Sequence, residues 1–335
     1  MQQAVLDRWF GYRSAFDHPV VLWSTVGIVA ALVVALVVVA VLSVMGRLSP
    51  STKSELFKRI ASWCVLAPLM VGPILLGAAW TIAAVVLLGL ACYREYARVT
   101  GLFREKLLSF LVVLGILGVG FATLDHWYGF FVALGPLSMM VIAALAILSD
   151  CPKGYVQRVA LGLFAFFLFG MGLGHLGYFA NDADYRPILV LILVSVELND
   201  VFAYMSGKLF GRRKLCPQTS PNKTIGGAAG ALVLTTTLVA VVGHYVFAGS
   251  VLDSPIHLIG LGMIVSVAGQ FGDLMLSSIK RDVGIKDTGR VLPGHGGLLD
   301  RFDSLLLVAP AVFHYIGYFR GVGLDQPTRI FTGGS

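Results

Sequence analysis

Apolar residues run through this chain in long blocks, and polar residues collect in the gaps between them. From Val20 onward about ten such blocks can be drawn, near residues 20–45, 61–76, 78–94, 107–124, 128–148, 158–180, 187–206, 225–248, 256–276 and 303–320. Most approach the roughly 20 residues that a helix needs to cross a bilayer. The pattern therefore predicts an all-α, polytopic membrane protein with about ten transmembrane helices. The first block is too long for the core of a signal peptide and reads as an uncleaved span. Between residues 61 and 94, Pro68, Gly72, Pro73 and Gly77 predict a tight hairpin of two shorter helices.

Composition agrees with a membrane setting: 57% of residues are hydrophobic and 13% charged, about half the charged share of a soluble domain. A formal net charge of +7 would suggest nucleic acid in a soluble protein, but here the placement of the cations matters more. Arg8, Arg13, Arg186, Arg320 and Arg329 fall on one side of the drawn topology, and the other 20 of the 25 lysines and arginines on the opposite side. Cytoplasmic loops retain positive charge, so both termini are expected outside and the polar motifs inside a bacterial-type inner membrane. Cys64, Cys92, Cys151 and Cys216 are widely spaced and suggest neither a disulfide framework nor a zinc site. The run Gly170, Gly172, Gly174 and Gly177 lies inside a span with no strand before it, so it reads as close helix packing rather than a nucleotide loop, and Gly226, Gly227 and Gly230 read the same way.

Two polar stretches carry the chemistry. In the first, Glu197 and Asp200 lie three apart on one helical face, and the chain continues through Arg212-Arg213-Lys214 to Ser220-Pro-Asn-Lys-Thr224. In the second, Ser277 to Asp303, Lys280, Arg281, Lys286, Arg290 and Arg301 alternate with Asp282, Asp287, Asp300 and Asp303 around Pro293-Gly294-His295-Gly296-Gly297. An acid at the centre of a span costs about 2.5–3.5 kcal/mol, so Glu197, Asp200 and Asp273 together would cost on the order of 8–10 kcal/mol if all faced lipid. They must face one another, a cation or water. Plainer readings remain beside this one: Asp200 in an interhelical hydrogen bond, Asp300 and Asp303 as helix-capping acids, and Ser220 to Thr224 as a turn and cap. No Gly-x-x-x-x-Gly-Lys-Ser/Thr loop, Gly-x-Ser-x-Gly elbow or His-Glu-x-x-His helix is present.

The second stretch resembles the signature of the phosphatidate cytidylyltransferase (CDP-diacylglycerol synthase) family: Ser-x-apolar-Lys-Arg, Lys-Asp, a His-Gly-Gly turn and Asp-Arg-x-Asp, with every fixed position filled. The resemblance is strong over roughly residues 190–320 and implies that CTP and phosphatidate give CDP-diacylglycerol and pyrophosphate. It implies Asp273, Asp300 and Asp303 as metal ligands, and Lys223, Lys280, Arg281, Lys286 and Arg301 as partners of the substrate phosphates. His295, Gly296 and Gly297 would shape the loop around the triphosphate. Asp200, Ser220, Asn222, Thr224, Ser277 and Arg290 would complete the substrate cavity. The organisation that follows is a tail over 1–19, N-terminal spans over 20–180, a catalytic region over 181–320 and a tail over 321–335.

Acids beside lysines and arginines suit Mg²⁺, which takes one or two carboxylates, several waters and substrate phosphates; whether a second cation joins it is left open, as is a homodimer. The partners expected are CTP, phosphatidate and membrane lipids, with no nucleic acid. Glu197-Leu-Asn-Asp200 departs from the apolar or small residues expected before that aspartate in many members of the family, which leaves the lipid acceptor open. Two other functions stay open from the residues: a cation or metabolite transporter using the intramembrane acids, and a CTP-dependent kinase of a lipid alcohol.

Overall fold

A computed structural model describes residues 3–289 and 296–333 of the chain. Ten helical segments are long and apolar enough to cross a membrane, the number that the apolar blocks predict. In chain order they are α2 (Pro19–Val44), α3 (Pro50–Leu76), α4 (Ala78–Thr100), α5 (Lys106–Leu124) and α6 (Tyr128–Ala146) with its short extension. There follow a continuous span from α7 (Tyr155–Ala165) through a π-helical segment to α8 (Leu173–Phe179), then α9 (Tyr185–Phe210), α10 (Ile225–Val246), α11 (Pro255–Asp282), and α12 (Leu299–Phe302) running on into α13 (Leu305–Phe319). Before them α1 (Gln3–Phe10) buries Val5 and Trp9 and packs on α4. The tail expected over 1–19 thus contains a docked helix.

Helix starts follow local chemistry. Ser49 precedes Pro50 and accepts from the Thr52 amide, Ser254 precedes Pro255 and accepts from the His257 amide, and Thr224 accepts from the Gly227 amide at the head of α10. Each side chain satisfies an otherwise orphaned donor, and proline at the first position presets the helical backbone. The hairpin expected near Gly77 is present: Gly77, at φ 140°, ends α3 and begins α4. Pro68 and Pro73 lie inside α3 rather than in the turn.

Several helices outrun their apolar blocks because nothing polar in the sequence breaks them. α4 continues to Thr100 and stops at the left-handed Gly101. α11 continues through Ser277, Lys280 and Arg281 to Asp282, and the next left-handed residue is Gly284. Lys280 and Arg281 therefore stand on the last turn of a helix, not in a loop. Between α9 and α10 the chain forms a small antiparallel ribbon, β1 (Lys214–Cys216) against β2 (Ser220–Thr224), a minor exception to the all-α expectation that turns Lys223 back toward the bundle.

Small residues let three helices close on the site. The glycines at the head of α10 lie against α9: a Cβ on Gly226 would stand 2.6 Å from the Phe210 carbonyl oxygen, and one on Gly227 2.6 Å from that of Ala203. Gly272 of α11 lies against the junction of α12 and α13, where a Cβ would come within 2.6 Å of the Asp303 carbonyl oxygen. Since Asp273 follows Gly272, this contact brings α11's acid beside Asp303. Deeper in the same bundle Asn199 accepts hydrogen bonds from Thr235 (2.9 Å) and Ser266 (2.7 Å), joining α9, α10 and α11 through fully buried side chains.

Candidate active site

The polar side chains gather at the C-terminal ends of α9 and α11 and the N-terminal end of α12–α13, in two adjoining groups. In the first, Lys223 Nζ lies 2.6 Å from Asp273 Oδ2, and Ser277 donates to Asp273 Oδ1 at 3.2 Å. Asp303, only 6% exposed, accepts from the Ser304 amide at 2.7 Å and lies within electrostatic reach of both Asp273 and Asp200. Arg301 and Glu197 complete the group: Arg301 attracts both Glu197 and Asp200 across the same space. Carboxylates from α9, α11 and the α12–α13 junction thus converge, with Lys223 supplied by β2.

The second group holds a loop. Asp300 Oδ1 pairs with Lys280 Nζ at 2.9 Å, while Oδ2 accepts from the Thr288 amide (2.9 Å), the Thr288 hydroxyl (3.0 Å) and the Gly297 amide (2.9 Å). Glu95, from the end of α4, accepts from the Leu298 amide at 3.0 Å, the Leu299 amide at 2.9 Å and the Thr288 hydroxyl at 3.1 Å. Two buried acids therefore hold the segment on either side of residues 290–295. Gly296, at φ 84°, adopts a conformation that side chains resist, so the chain turns there toward Asp300.

The remaining expected residues divide. Arg281 donates to the Thr219 and Ile285 carbonyl oxygens, at 3.3 and 3.1 Å, tying the ribbon's turn to the end of α11. Lys286 and Asn222 are exposed, and Ser220 is half-buried on β2. Thr224 is spent on capping α10, and the Gly297 amide on Asp300. Arg290 and His295 lie outside the described residues. Glu95 and Thr288 were not singled out from the sequence; the available signal was one acid among the arginines that end a span, Arg94-Glu95-Tyr96-Ala97-Arg98.

For a divalent cation the donors are chemically apt, since Asp200, Asp273 and Asp303 offer hard oxygens. Asp300 differs in the number of protein donors it already holds, four against the two on Asp273, and two of them are backbone amides that fix the loop. Among the described residues no three His, Cys, Asp or Glu side chains already form a ready cluster for a metal ion.

A many-spanned helical bundle thus gathers acids and cations at one end. The family model described as the cytidylyltransferase family matches residues 57–319, and the chain belongs to that family. Among its relatives is the protein of Escherichia coli (strain K12) called "Uncharacterized protein YnbB", 29% identical over 279 residues that cover 81% of this chain and 91% of that protein. The phosphatidate cytidylyltransferase of Bacillus subtilis (strain 168) is 32% identical over 227 residues, 64% of this chain and 81% of that enzyme. The phosphatidate cytidylyltransferase of Staphylococcus haemolyticus (strain JCSC1435) is 40% identical over 143 residues, 42% of this chain and 53% of that enzyme.

Proposed function

We propose that this protein transfers the cytidylyl group of CTP to phosphatidate, giving CDP-diacylglycerol and pyrophosphate on the cytoplasmic face of the membrane. The observation that carries this reading is the convergence of Asp200, Asp273 and Asp303 with Lys223 and Arg301 at one end of the bundle. Such a site is suited to holding two polyanions at a place that both a soluble nucleotide and a lipid headgroup can reach.

The reaction asks for little acid–base work. A phosphate monoester, with a second pKa near 6, is largely dianionic at neutral pH, so its oxygen can attack the α-phosphorus without a base. A new phosphorus–oxygen bond forms there, the bond to the bridging oxygen breaks, and pyrophosphate leaves with that electron pair. The barrier is mutual repulsion of anions. Lys286 and Arg301 are exposed and have no carboxylate within ion-pair distance among the described residues, so they are free to meet phosphate oxygens, and Arg281 would add the guanidinium donors that the Thr219 and Ile285 carbonyls do not take. Lys280 is held by Asp300, which fixes its ammonium beside the loop, and Lys223 exchanges Asp273 for substrate. Asp273 and Asp303, with Asp200 beside them, would hold Mg²⁺, which when bound neutralises phosphate charge and aligns the reacting oxygens. In this reading Asp300 positions the loop and is not a ligand. The apolar groove of about 550 Å³ between Met263, Val267 and Phe271 of α11 and Leu307 and Ala311 of α13 offers a course for an acyl chain beside these acids.

The test supplies purified protein with CTP, Mg²⁺ and phosphatidate. CDP-diacylglycerol and pyrophosphate should form in equal amounts, and Asp303→Asn should abolish both while the protein still elutes as a folded species. Release of CDP would point instead to a kinase, and ion flux into proteoliposomes with no nucleotide requirement to a transporter. A fully active Asp303→Asn protein would overturn the assignment of that acid.

A further inference from the structure

A second groove, of about 580 Å³, lies between α4, the turn at Leu102–Arg104 and α5, away from the acids of the site. Leu90, Ala97, Phe103 and Val113 make its apolar wall, and Arg94 and Arg98, one helical turn apart on α4, stand exposed along it. Neither arginine has an acidic partner within ion-pair distance among the described residues. Tyr93, 5% exposed, has its hydroxyl beside Ser109, which itself donates to the Leu102 carbonyl oxygen. Two further grooves among the described residues, about 550 Å³ on α11 and α13 and about 460 Å³ on α2, are lined by no charged residue. Positive charge is thus specific to this one of the three.

Its level in the bundle is fixed by Glu95, which sits between Arg94 and Arg98 and reaches the Leu298 and Leu299 amides of the candidate active-site loop. The two arginines therefore stand at the same end of the bundle as that loop, where span ends meet headgroups. Apolar wall below and two closely spaced positive charges above match a lipid in both parts: chains for the wall, an anionic phosphate for the charges.

We propose that this groove binds a membrane glycerophospholipid with an anionic headgroup, its phosphate on Arg94 and Arg98 and an acyl chain along Leu90, Ala97, Phe103 and Val113. Each basic residue near a membrane surface is worth about 1 kcal/mol toward an anionic lipid, so losing both should weaken binding by tenfold or more. The site is separate from the proposed chemistry and stands or falls apart from it.

The experiment places the full-length protein in phosphatidylcholine nanodiscs carrying a trace of phosphatidylglycerol with a photoreactive acyl chain, and maps the cross-linked residues by mass spectrometry. Labelling should fall on the α4 and α5 residues of the groove and drop about tenfold in the Arg94→Gln/Arg98→Gln variant. It should persist in Arg94→Lys/Arg98→Lys and in Lys53→Gln/Lys58→Gln, which removes equal charge from α3 outside the groove. The lysine pair keeps the test decisive if the glutamine variant folds poorly. Equal labelling by a phosphatidylcholine probe, labelling indifferent to the glutamine pair, or displacement by millimolar inorganic phosphate would each overturn the proposal.

Discussion

Glu95 accepts hydrogen bonds from residues 193 to 204 positions further along the chain, and it is 7% exposed. Truncation to alanine would leave the Leu298 and Leu299 amides without an acceptor, at about 1–3 kcal/mol for each donor left unsatisfied, while the Thr288 hydroxyl keeps Asp300. Glu95→Ala should therefore slow turnover roughly tenfold to a hundredfold. Faster hydrogen exchange at the Leu298 and Leu299 amides, measured in the same preparation, would tie the loss to the loop. A variant with unchanged exchange would show that the loop is held by Asp300 alone. At the opposite end, His126 donates from Nδ1 to the Pro327 carbonyl oxygen at 2.9 Å. Burial pushes its pKa below the ordinary histidine value, with Arg8 adding to that and the Pro327 bond, Asp125 and Asp182 opposing it. The unfolded chain then binds the proton more readily, so His126's contribution to stability is complete above about pH 6.5 and is lost as pH falls below it, until the folded pKa is reached. Melting temperature followed from pH 7.5 to 5 should fall, and His126→Asn, which tolerates the positive φ of 51°, should flatten that dependence.

Helices rather than single residues decide where the acids stand. The head of α10 is pressed onto α9 through Gly226 and Gly227, and Lys223 and Thr224 lead directly into that contact. Gly227→Val would push a side chain into the Ala203 carbonyl, and overpacking of this kind costs about 1–3 kcal/mol. The expected outcome is a lower melting temperature with a weaker apparent affinity for CTP, read from thermal unfolding with and without nucleotide. Much at this scale could be read from sequence: ten apolar blocks became ten spans, and the glycine-spaced runs became close helix contacts, with Gly172 against Leu306 and Gly177 against Thr123 and Val85. Where the reading stopped short, at Lys280 and Arg281 on α11 and at the extension of α4 to Thr100, the cause is common. Hydropathy marks where a helix leaves lipid, whereas the helix itself ends only at a residue such as Gly101 that breaks it.

Across the whole molecule, α9 and α13 join two polar ends. At one end are Asp200 and Asp303; at the other Arg320 bridges Asp182 and Asp184 at 2.7 and 2.9 Å, and Asp125 receives the Phe331 and Thr332 amides. Along α9 (Tyr185–Phe210) Asp200 lies 15 residues beyond Tyr185, about 23 Å, so the clasp made by the C-terminal segment is remote from the acids. Removing residues 321–335 should lower thermal stability by several kcal/mol, through orphaned buried partners, while leaving turnover per folded molecule unchanged; a loss of turnover in material that is still folded would contradict this separation. The clasp was not legible in the sequence, nor was Glu95, because each pairs residues more than a hundred positions apart and no local period encodes such a meeting. The nearness of Asp200 and Asp273 was legible because hydrocarbon tolerates stray charge so poorly that two acids in neighbouring spans must share surroundings, whereas Asp303 entered only through the family resemblance.

The Lys223–Asp273 pair has a bearing on how the protein tolerates chelation. An acid already balanced by an ammonium from its own chain does not depend on dissolved cations to stay folded, so EDTA should leave the melting temperature where it was. Lys223→Ala removes that internal counterion, and the melting temperature of this variant should then climb as magnesium is titrated in. On the proposed reading, loading at Asp273 trades one positive partner for another, so the fold itself would not depend on magnesium.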